Sequence, residues 1–521
     1  MGIPYYFSYL IKNHSEIINK LKNHTNIDNI YIDSNSIIYD SLDFNSFTNK
    51  QQFEDLIIEK VIEKIDLIIK TLNPKKHVFI AFDGIPPIAK LDQQKNRRYK
   101  SWYQNTILNK TVLWDTSSIT PGTKFMDKLN TIIQYHFTSK KSKYKITLSL
   151  SDIPGEGEHK IFHYIRNNNH DNDKTIIYGM DADLIMLSLN HLKNCNSIYL
   201  YRETPIFIRS LDSRLDKDET YLLDISKLGK QIYKELTDCD CHDLNNEFYQ
   251  KIEDYIFICF LLGNDFMPHF PAINIRTNGF ICLLELYKTH FKNKQLTNNG
   301  IINWKTFKFY IYLLAKNEYE FLLEQYKLRE RASKKFYPES NDEEREFKFI
   351  ATPSYERNIE IFINPREDDW EFRYYYALFD INQDTDKQAV SEICLNYLKT
   401  LQWTLHYYRD DCKNWQHHYH YNYPPLLQDL VQHIPYFDSE LVLDENHDIV
   451  NKNVLLSYVL PRTSLNLLPK KIETYLLKNY SEHYKEDYEF EWSFCKYFWE
   501  GHVKFPKLDF QKFSKTIENI D

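Results

Sequence analysis

The chain has 521 residues, of which 42% are hydrophobic and 26% are charged, so it is long enough for more than one core and has an ordinary globular composition. It contains no run of about 18 apolar residues, which argues against a membrane span. The net charge of −8 argues against a simple nucleic-acid coat protein. Eight scattered cysteines favour reduced thiols, and we expect an intracellular protein, cytoplasmic rather than nuclear.

The first half of the chain alternates between strand and helix signals. The predicted strands are NIYIDSN, HVFIAFDG, KITLSLSD and KTIIYGMDAD, and residues 51–72 have helical periodicity. Strands separated by helices predict a mostly parallel sheet with flanking helices. Helical spacing predominates after about residue 300, as in residues 304–328 and 389–408, and residues 334–346 are predicted to form a charged, mobile connector. We therefore predict an α/β domain over residues 1–240 and a mainly α-helical domain over residues 241–521, with the boundary between residues 235 and 300.

Seven acidic residues stand at predicted strand ends or at glycine turns. They are Asp33, Asp83, Glu156, Glu158, Asp181, Asp183 and Asp265. A single acid after a strand is more often a helix cap or a turn residue than a ligand. Ligands of a parallel sheet, however, gather beyond the carboxyl ends of its strands. The whole set is therefore better explained as one site than as seven caps.

The stretch IPGEGEHKI contributes two of these acids from one turn. Glu158 shares a helical face with three apolar residues, so its side chain is expected to point inward; those residues are Ile161, Phe162 and Ile165. Converging carboxylates repel one another and are costly to bury. Divalent cations remove both problems, and Mg²⁺ or Mn²⁺ prefers oxygen ligands. The sequence therefore predicts a two-metal site, with Mg²⁺ as the cofactor and Mn²⁺ as a substitute.

A basic segment, GIPPIAKLDQQKNRRYKSWY, follows Asp83 directly. Its polar positions at i, i+4, i+7 and i+8 share one helical face and are Lys90, Gln94, Arg97 and Arg98. Such a face is compatible with a solvated helix surface, but next to a set of metal-binding acids it favours a phosphate pocket. Together the two features indicate a phosphodiesterase that recognises the end of a nucleic acid.

The order of the motifs resembles the Xrn family of 5′→3′ exoribonucleases. The motifs are MGIPYYF, YIDSNSIIYD, FIAFDGIPPIAKLDQQKNRRYK, ITPGTKFM, PGEGEHKI, YGMDADLIMLSL and FLLGNDFMPHFP, and the likeness continues to YKEDYEFEWSFCKYFWEG. The resemblance implies a PIN/flap-nuclease-like α/β domain beside a helical domain. It also implies Mg²⁺-dependent, processive removal of 5′ mononucleotides from single-stranded RNA that bears a 5′ monophosphate. We expect a compact member without the additional C-terminal modules, compatible with a monomer, and protein partners stay unspecified.

The same resemblance assigns roles to individual residues. It makes the seven acids metal ligands and assigns Lys90, Gln94, Arg97 and Arg98 to the 5′-phosphate pocket. The family usually has a histidine that stacks on the first base, and this chain has Tyr39 there. The family's Trp-x-Trp is here Trp415–Gln416–His417, so Tyr39 and Trp415 are the candidates for base stacking.

Two other functions fit parts of this pattern. A structure-specific 5′ flap DNA nuclease would share the acids, but the predicted phosphate pocket argues against it. A non-catalytic RNA-binding relative would be expected to have lost acids, and none of the seven is lost.

Overall fold

The computed structural model describes residues 6–520, except 25, 140, 171, 203–218, 383–384, 387, 438, 443–445 and 447. In this part of the chain, a mixed, mostly parallel sheet with flanking helices is followed by a mainly helical half. The predicted fold class is therefore confirmed. The predicted domain boundary stays a prediction, because one hydrophobic cluster runs through both halves of the chain.

Seven strands form the main sheet. They are β1 (Ile18–Lys20), β2 (Asn29–Asp33), β3 (His77–Ala81), β4 (Lys145–Ser149), β5 (Thr175–Tyr178), β6 (Ile198–Tyr201) and β7 (Tyr221–Asp224). Their order across the sheet is β1-β7-β6-β5-β2-β3-β4. The strands from β6 to β4 pair in parallel, whereas β7 and β1 are antiparallel to their neighbours. Strand β2 therefore lies in the centre of the parallel part, between β5 and β3.

The alternating direction of the apolar side chains along the central strands explains why helices cover both faces of the sheet. On β2, Ile30 and Ile32 pack into one hydrophobic cluster, while Tyr31 packs into another on the opposite face. Successive side chains of a strand point to opposite faces, so a strand that is apolar throughout requires cover on both sides.

The helices of the first half supply that cover. They are α1 (Tyr6–Asn13), α2 (Asn35–Asp40), α3 (Lys50–Leu72), α4 (Ile88–Ile107), α5 (Lys124–Ser139), α6 (Gly157–Arg166), α7 (Asp183–Asn190) and α8 (Ile225–Thr237). Helix α3 matches the helix predicted for residues 51–72, and its buried side chains recur at helical spacing.

The second half of the chain is built almost entirely from helices. They are α9 (Asn246–Cys259), α10 (Gly279–His290), α11 (Trp304–Ala315), α12 (Glu318–Ser333), α13 (Asp342–Ile350), α14 (Thr352–Tyr355), α15 (Asn358–Ile363), α16 (Trp370–Phe379), α17 (Ala389–Arg409), α18 (Leu427–His433), α19 (Lys452–Val459), α20 (Lys470–Asn479) and α21 (Phe510–Glu518). Two small antiparallel pairs accompany them: β8 (Thr297–Asn298) with β9 (Ile301–Ile302), and β10 (Phe490–Glu491) with β11 (His502–Val503).

The structure confirms one prediction about the helical half and corrects another. The helical spacing of residues 304–328 corresponds to two helices, α11 and α12, which meet around Asn317. The connector predicted for residues 334–346 includes the start of α13. Here the side chain of Asn341 accepts the backbone N–H of Glu344, and the first turn is acidic, which favours a helix N-terminus.

Two helices of the second half reach the sheet. Helix α9 packs on α7, and the chain then turns at Gly263 to present Asp265. Helix α17 also packs on α7, and its last turns carry three buried aromatic side chains, Trp403, Tyr407 and Tyr408. None of the described helices combines the length and the apolar character that a membrane span requires.

Candidate active site

Three of the predicted acids lie at the carboxyl edge of adjacent parallel strands. Asp33 is the last residue of β2, Asp83 follows the end of β3 by two residues, and Asp181 follows the end of β5 by three. Strand β3 ends before Asp83 because the backbone N–H of Asp83 is bonded to the side chain of Asn35, at 3.1 Å, instead of to a neighbouring strand. The adjacent order β5-β2-β3 brings the three carboxylates to one edge.

The turn before α6 adds Glu156 and Glu158, which are 5% and 6% exposed. Gly155 has a φ of +100°, a backbone conformation that residues other than glycine rarely adopt. A Cβ at Gly157 would lie 2.5 Å from Oδ1 of Asp33, and the Gly157 N–H donates to Oδ1 of Asp83 at 2.7 Å. The two glycines therefore allow this turn to approach the acids of the sheet closely.

The last two acids lie at the start of α7 and in the turn that follows α9. Asp183 is the first residue of α7 and is 3% exposed, and Asp265 lies just after α9. The backbone N–H of Asp183 lies 3.3 Å from Oδ1 of Asp181, so these two acids share one turn. All seven predicted acids are thus brought together, from five separate segments of the chain.

Several of the acids lie close enough together to shift one another's pKa values. Burial and the charges of Asp83 and Asp181 raise the pKa of Asp33 well above its ordinary value. Burial and the charges of Asp181 and Asp183 do the same to the pKa of Glu158. Burial, with the charge of Asp181, raises the pKa of Asp183 to about 7. Mutual repulsion therefore acts on Asp33, Glu158 and Asp183.

Two oxygens in this cluster are buried without a hydrogen-bond partner in the structure. They are Oδ1 of Asp33 and Oε2 of Glu158. Buried carboxylate oxygens normally accept a hydrogen bond. Oxygens that lack one, in a cluster of acids that repel one another, are suited to bind a divalent cation. We therefore regard the residues as suited to Mg²⁺ or Mn²⁺.

Lys90, on α4, lies among the acids. Its Nζ is 2.6 Å from Oε1 of Glu156 and 2.7 Å from Oδ2 of Asp265. Although burial opposes the charged form, these two carboxylates raise the pKa of Lys90 well above its ordinary value. A charged ammonium therefore joins the acids to the basic helix.

The other three residues predicted for the phosphate pocket follow Lys90 along α4. Gln94 is buried and accepts from Nη1 of Arg98 at 3.3 Å, while Nη2 of Arg98 donates to Thr120 at 2.8 Å. Arg97 is exposed. Burial and the charge of Arg97 lower the pKa of Arg98 to about 10, which still leaves its guanidinium charged at neutral pH.

The two residues predicted to stack on a base each lie near a residue of α4. Tyr39 is 42% exposed, and its hydroxyl is close enough to Arg98 to affect the pKa of the guanidinium. The carbonyl of Trp415 accepts the backbone N–H of Ile88 at the start of α4, at 2.9 Å. Their role in stacking stays a prediction.

The sequence interpretation missed two tyrosines of α17 that hold the acids. The hydroxyl of Tyr407 donates to Oε2 of Glu156 at 2.6 Å, and that of Tyr408 donates to Oδ1 of Asp183 at 2.7 Å. Tyrosine is common in this chain, and nothing about the pair in HYYRDD marks it as functional. Only the contact of α17 with α7 discloses its role.

The fold and the site define an α/β nuclease class with an acidic centre and a basic helix beside it. The model of the XRN 5′-3′ exonuclease N-terminus matches residues 1–204, and the model of the Xrn1 helical domain matches residues 245–360 and 362–521. The chain therefore belongs to the Xrn family.

Several curated relatives resemble most of the chain. The 5′-3′ exoribonuclease 1 of Saccharomyces cerevisiae is 26% identical, over 90% of this chain and 40% of the relative. The 5′-3′ exoribonuclease 1 of Homo sapiens is also 26% identical, over 100% of this chain and 34% of the relative. The 5′-3′ exoribonuclease 2 of Gallus gallus is 25% identical, over 100% of this chain and 70% of the relative. The chain thus spans well under half the length of the first two relatives.

Proposed function

We propose that this chain is a processive 5′→3′ exoribonuclease that hydrolyses single-stranded RNA with a 5′ monophosphate to 5′ mononucleotides. The observation that carries the proposal is the gathering of seven acids around Lys90, at the start of a helix that continues with Gln94 and Arg98. A cluster that suits cations and a neighbouring group that suits phosphate are the two parts that end-directed phosphodiester hydrolysis requires.

The seven acids would hold two divalent cations, with Mg²⁺ as the physiological ion and Mn²⁺ as a substitute. Their unsatisfied oxygens and raised pKa values support this assignment. When bound, the ions would supply a nucleophilic water at neutral pH and stabilise the negative charge that develops on the leaving 3′ oxygen.

The residues of α4 would select and position the end of the RNA. Arg98 and Arg97 would bind the 5′ phosphate through charge-assisted hydrogen bonds, and the side-chain amide of Gln94 would donate to it. Cations bound to the acids would also neutralise the carboxylates that hold Lys90, which leaves its ammonium for the phosphate. A phosphate fixed at one end sets the register, so that one nucleotide leaves in each cycle.

The size and depth of such a pocket would determine selectivity. A cap or a triphosphate is bulkier than a monophosphate, and an internal phosphodiester cannot enter a pocket that closes behind the first phosphate. Tyr39 and Trp415, which lie near Arg98 and Ile88 of α4, would stack on the terminal bases. We further propose that the enzyme acts as a monomer in RNA turnover inside the cell, over the two domains 1–240 and 241–521.

The experiment that tests this function is digestion of matched RNAs that differ only at the 5′ end. Monophosphate, hydroxyl and triphosphate ends are each incubated with Mg²⁺, Mn²⁺ or a chelator. We expect mononucleotides from the monophosphate RNA in either metal and from none of the RNAs in chelator. Equal digestion of hydroxyl ends, or a preference for branched DNA, would contradict the proposal and favour a flap nuclease.

A variant of the basic helix sharpens the same assay. Loss of a charge-assisted hydrogen bond in Arg98→Gln should weaken the preference for a monophosphate over a hydroxyl end about 10- to 100-fold. Arg345→Gln, which changes an exposed arginine of α13 in the same way, serves as the matched control and should leave the preference unchanged.

A further inference from the structure

The turn that supplies Glu156 and Glu158 also supplies an imidazole. His159 follows Glu158 directly, and one ligand atom from each of the three side chains lies within 4.8 Å of the other two. We infer that a ring nitrogen of His159 is a ligand of a divalent cation, together with Glu156 and Glu158. The inference rests on the proposed metal-dependent function and adds a nitrogen ligand to its all-oxygen centre.

Both acids of this trio are constrained, and one of them has an oxygen to offer. Glu158 is 6% exposed, and its Oε2 has no hydrogen-bond partner. Glu156 is 5% exposed and is held by the hydroxyl of Tyr407 and the ammonium of Lys90. A buried oxygen without a partner next to a fixed carboxylate is the arrangement that a cation completes.

The position of His159 is set by the same tyrosine that holds Glu156. The imidazole packs on the ring of Tyr407, with ring centroids 3.8 Å apart and planes inclined by 33°. Within the described part of the chain, its ring nitrogens make no hydrogen bond and no ion pair. The ring is therefore oriented by stacking, while both nitrogens keep their lone pair or proton for another partner.

An imidazole ligand changes which metal the centre prefers. Mg²⁺ takes oxygen ligands almost exclusively, whereas Mn²⁺ accepts an imidazole ligand more readily, although it stands lowest of the first-row ions in affinity for an N/O site. His159 should therefore strengthen the binding of Mn²⁺ and contribute little to the binding of Mg²⁺.

The experiment is pulsed electron paramagnetic resonance of Mn²⁺ bound to the full chain, at one ion per protein and without RNA. A directly coordinated imidazole couples its nitrogen to the Mn²⁺ electron spin. We expect this nitrogen coupling in the unchanged protein. The measurement does not depend on nuclease activity.

Two variants make the assignment specific. His159→Phe keeps an aromatic ring for the stack on Tyr407 and removes both nitrogens. His163→Phe, one turn further along α6, removes an exposed imidazole that pairs with Asp411 instead. We expect the coupling to vanish in His159→Phe and to persist in His163→Phe. The dissociation constant for Mn²⁺ should rise about 10- to 100-fold in His159→Phe, with a much smaller change for Mg²⁺.

The possible failures are distinguishable. Binding of Mn²⁺ without nitrogen coupling in the unchanged protein would overturn the role of His159 and leave the metal-dependent function intact, as would coupling that survives in His159→Phe. Absence of any Mn²⁺ binding would overturn the metal centre of the proposed function itself, and the inference with it. If His159→Phe does not fold, absence of nitrogen coupling in the unchanged protein still overturns the role of His159.

Discussion

Two sets of buried carboxylates in this protein differ in how fully their oxygens are hydrogen-bonded. In the helical half, Glu360 is 1% exposed and is fully engaged: it accepts from Nε of Arg329 at 2.8 Å, from Nε of Arg357 at 2.6 Å and from the backbone N–H of Phe494 at 2.8 Å. At the edge of the sheet, Oε2 of Glu158 has no hydrogen-bond partner among the residues that the structure describes. The first acid stabilises the fold, and the second keeps an oxygen for a ligand that the chain does not supply.

Asp254 repeats the pattern of Glu360. It is fully buried and accepts from Tyr287, from the backbone N–H of Leu296 and from both donors of Thr297. Burial of an acid is thus not in itself a sign of function. What distinguishes the acids at the edge of the sheet is repulsion among neighbours combined with unsatisfied oxygens.

The largest expected effect is on catalysis. Replacing Asp181 and Asp183 together by Ala removes two acids of the metal site, so turnover of monophosphorylated RNA should fall by about three orders of magnitude or more, equivalent to about 4 kcal/mol. Single-turnover digestion measures the loss, and a binding assay should find RNA affinity retained. The control is Asp342→Ala with Glu343→Ala, an adjacent exposed pair on α13. Undiminished turnover in the first variant would refute the assignment of the acids.

The second effect separates the two sets of acids by stability. Glu360→Gln leaves the buried charges of Arg329 and Arg357 without their carboxylate, so the free energy of unfolding should fall by about 3–5 kcal/mol. Glu158→Gln removes one charge from a repelling cluster, so without divalent cations the protein should be as stable as before or more stable. Urea titrations in chelator measure both. Equal destabilisation by the two changes would show that the two sets of acids do not differ in their contribution to stability.

The tyrosines of α17 should have an intermediate effect. Tyr408→Phe and Tyr407→Phe each remove a hydroxyl that donates to an acid, so we expect turnover to fall about 10- to 100-fold with the fold retained. Tyr374→Phe is the control, because its buried hydroxyl donates to the carbonyl of Pro424, in the core of the helical half. A loss of activity as large in Tyr374→Phe would mean that general packing, rather than orientation of the acids, explains the effect.

The smallest effect within any one pH unit is a pH dependence of the metal-free protein. The pKa of Asp183 is about 7 in the folded protein, compared with an ordinary value of 3.8, so between these values the folded state binds more protons than the unfolded chain. The free energy of unfolding should therefore decrease as pH rises from about 4 to about 7, by at most about 1.4 kcal/mol per pH unit for this carboxyl. Denaturant titrations in chelator at several pH values measure the slope. Asp183→Asn should flatten it, and an unchanged slope in that variant would contradict the assignment.

Some parts of the site could be predicted because they depend on local pattern alone. The acids after β2, β3 and β5 were predictable, since parallel strands place their carboxyl ends at one edge and an apolar run that stops at an acid marks that end. The spacing of Lys90, Gln94 and Arg98 predicted one face of a helix, and α4 is a helix. Arg97 and Arg98 lie 100° apart around this helix, and of the four predicted residues only Arg97 is exposed.

Local sequence pattern was enough to predict the class of fold, the seven acids and the basic helix, because strand alternation, helical period and glycine turns act over a few residues. The folded chain was needed to show that Tyr407 and Tyr408 reach those acids, that Lys90 lies between Glu156 and Asp265, and that His159 stacks beside them. These contacts join segments separated by up to about 250 residues. They follow from how α17 and α9 pack on α7. The periodicity of one segment does not indicate which other segment it will pack against.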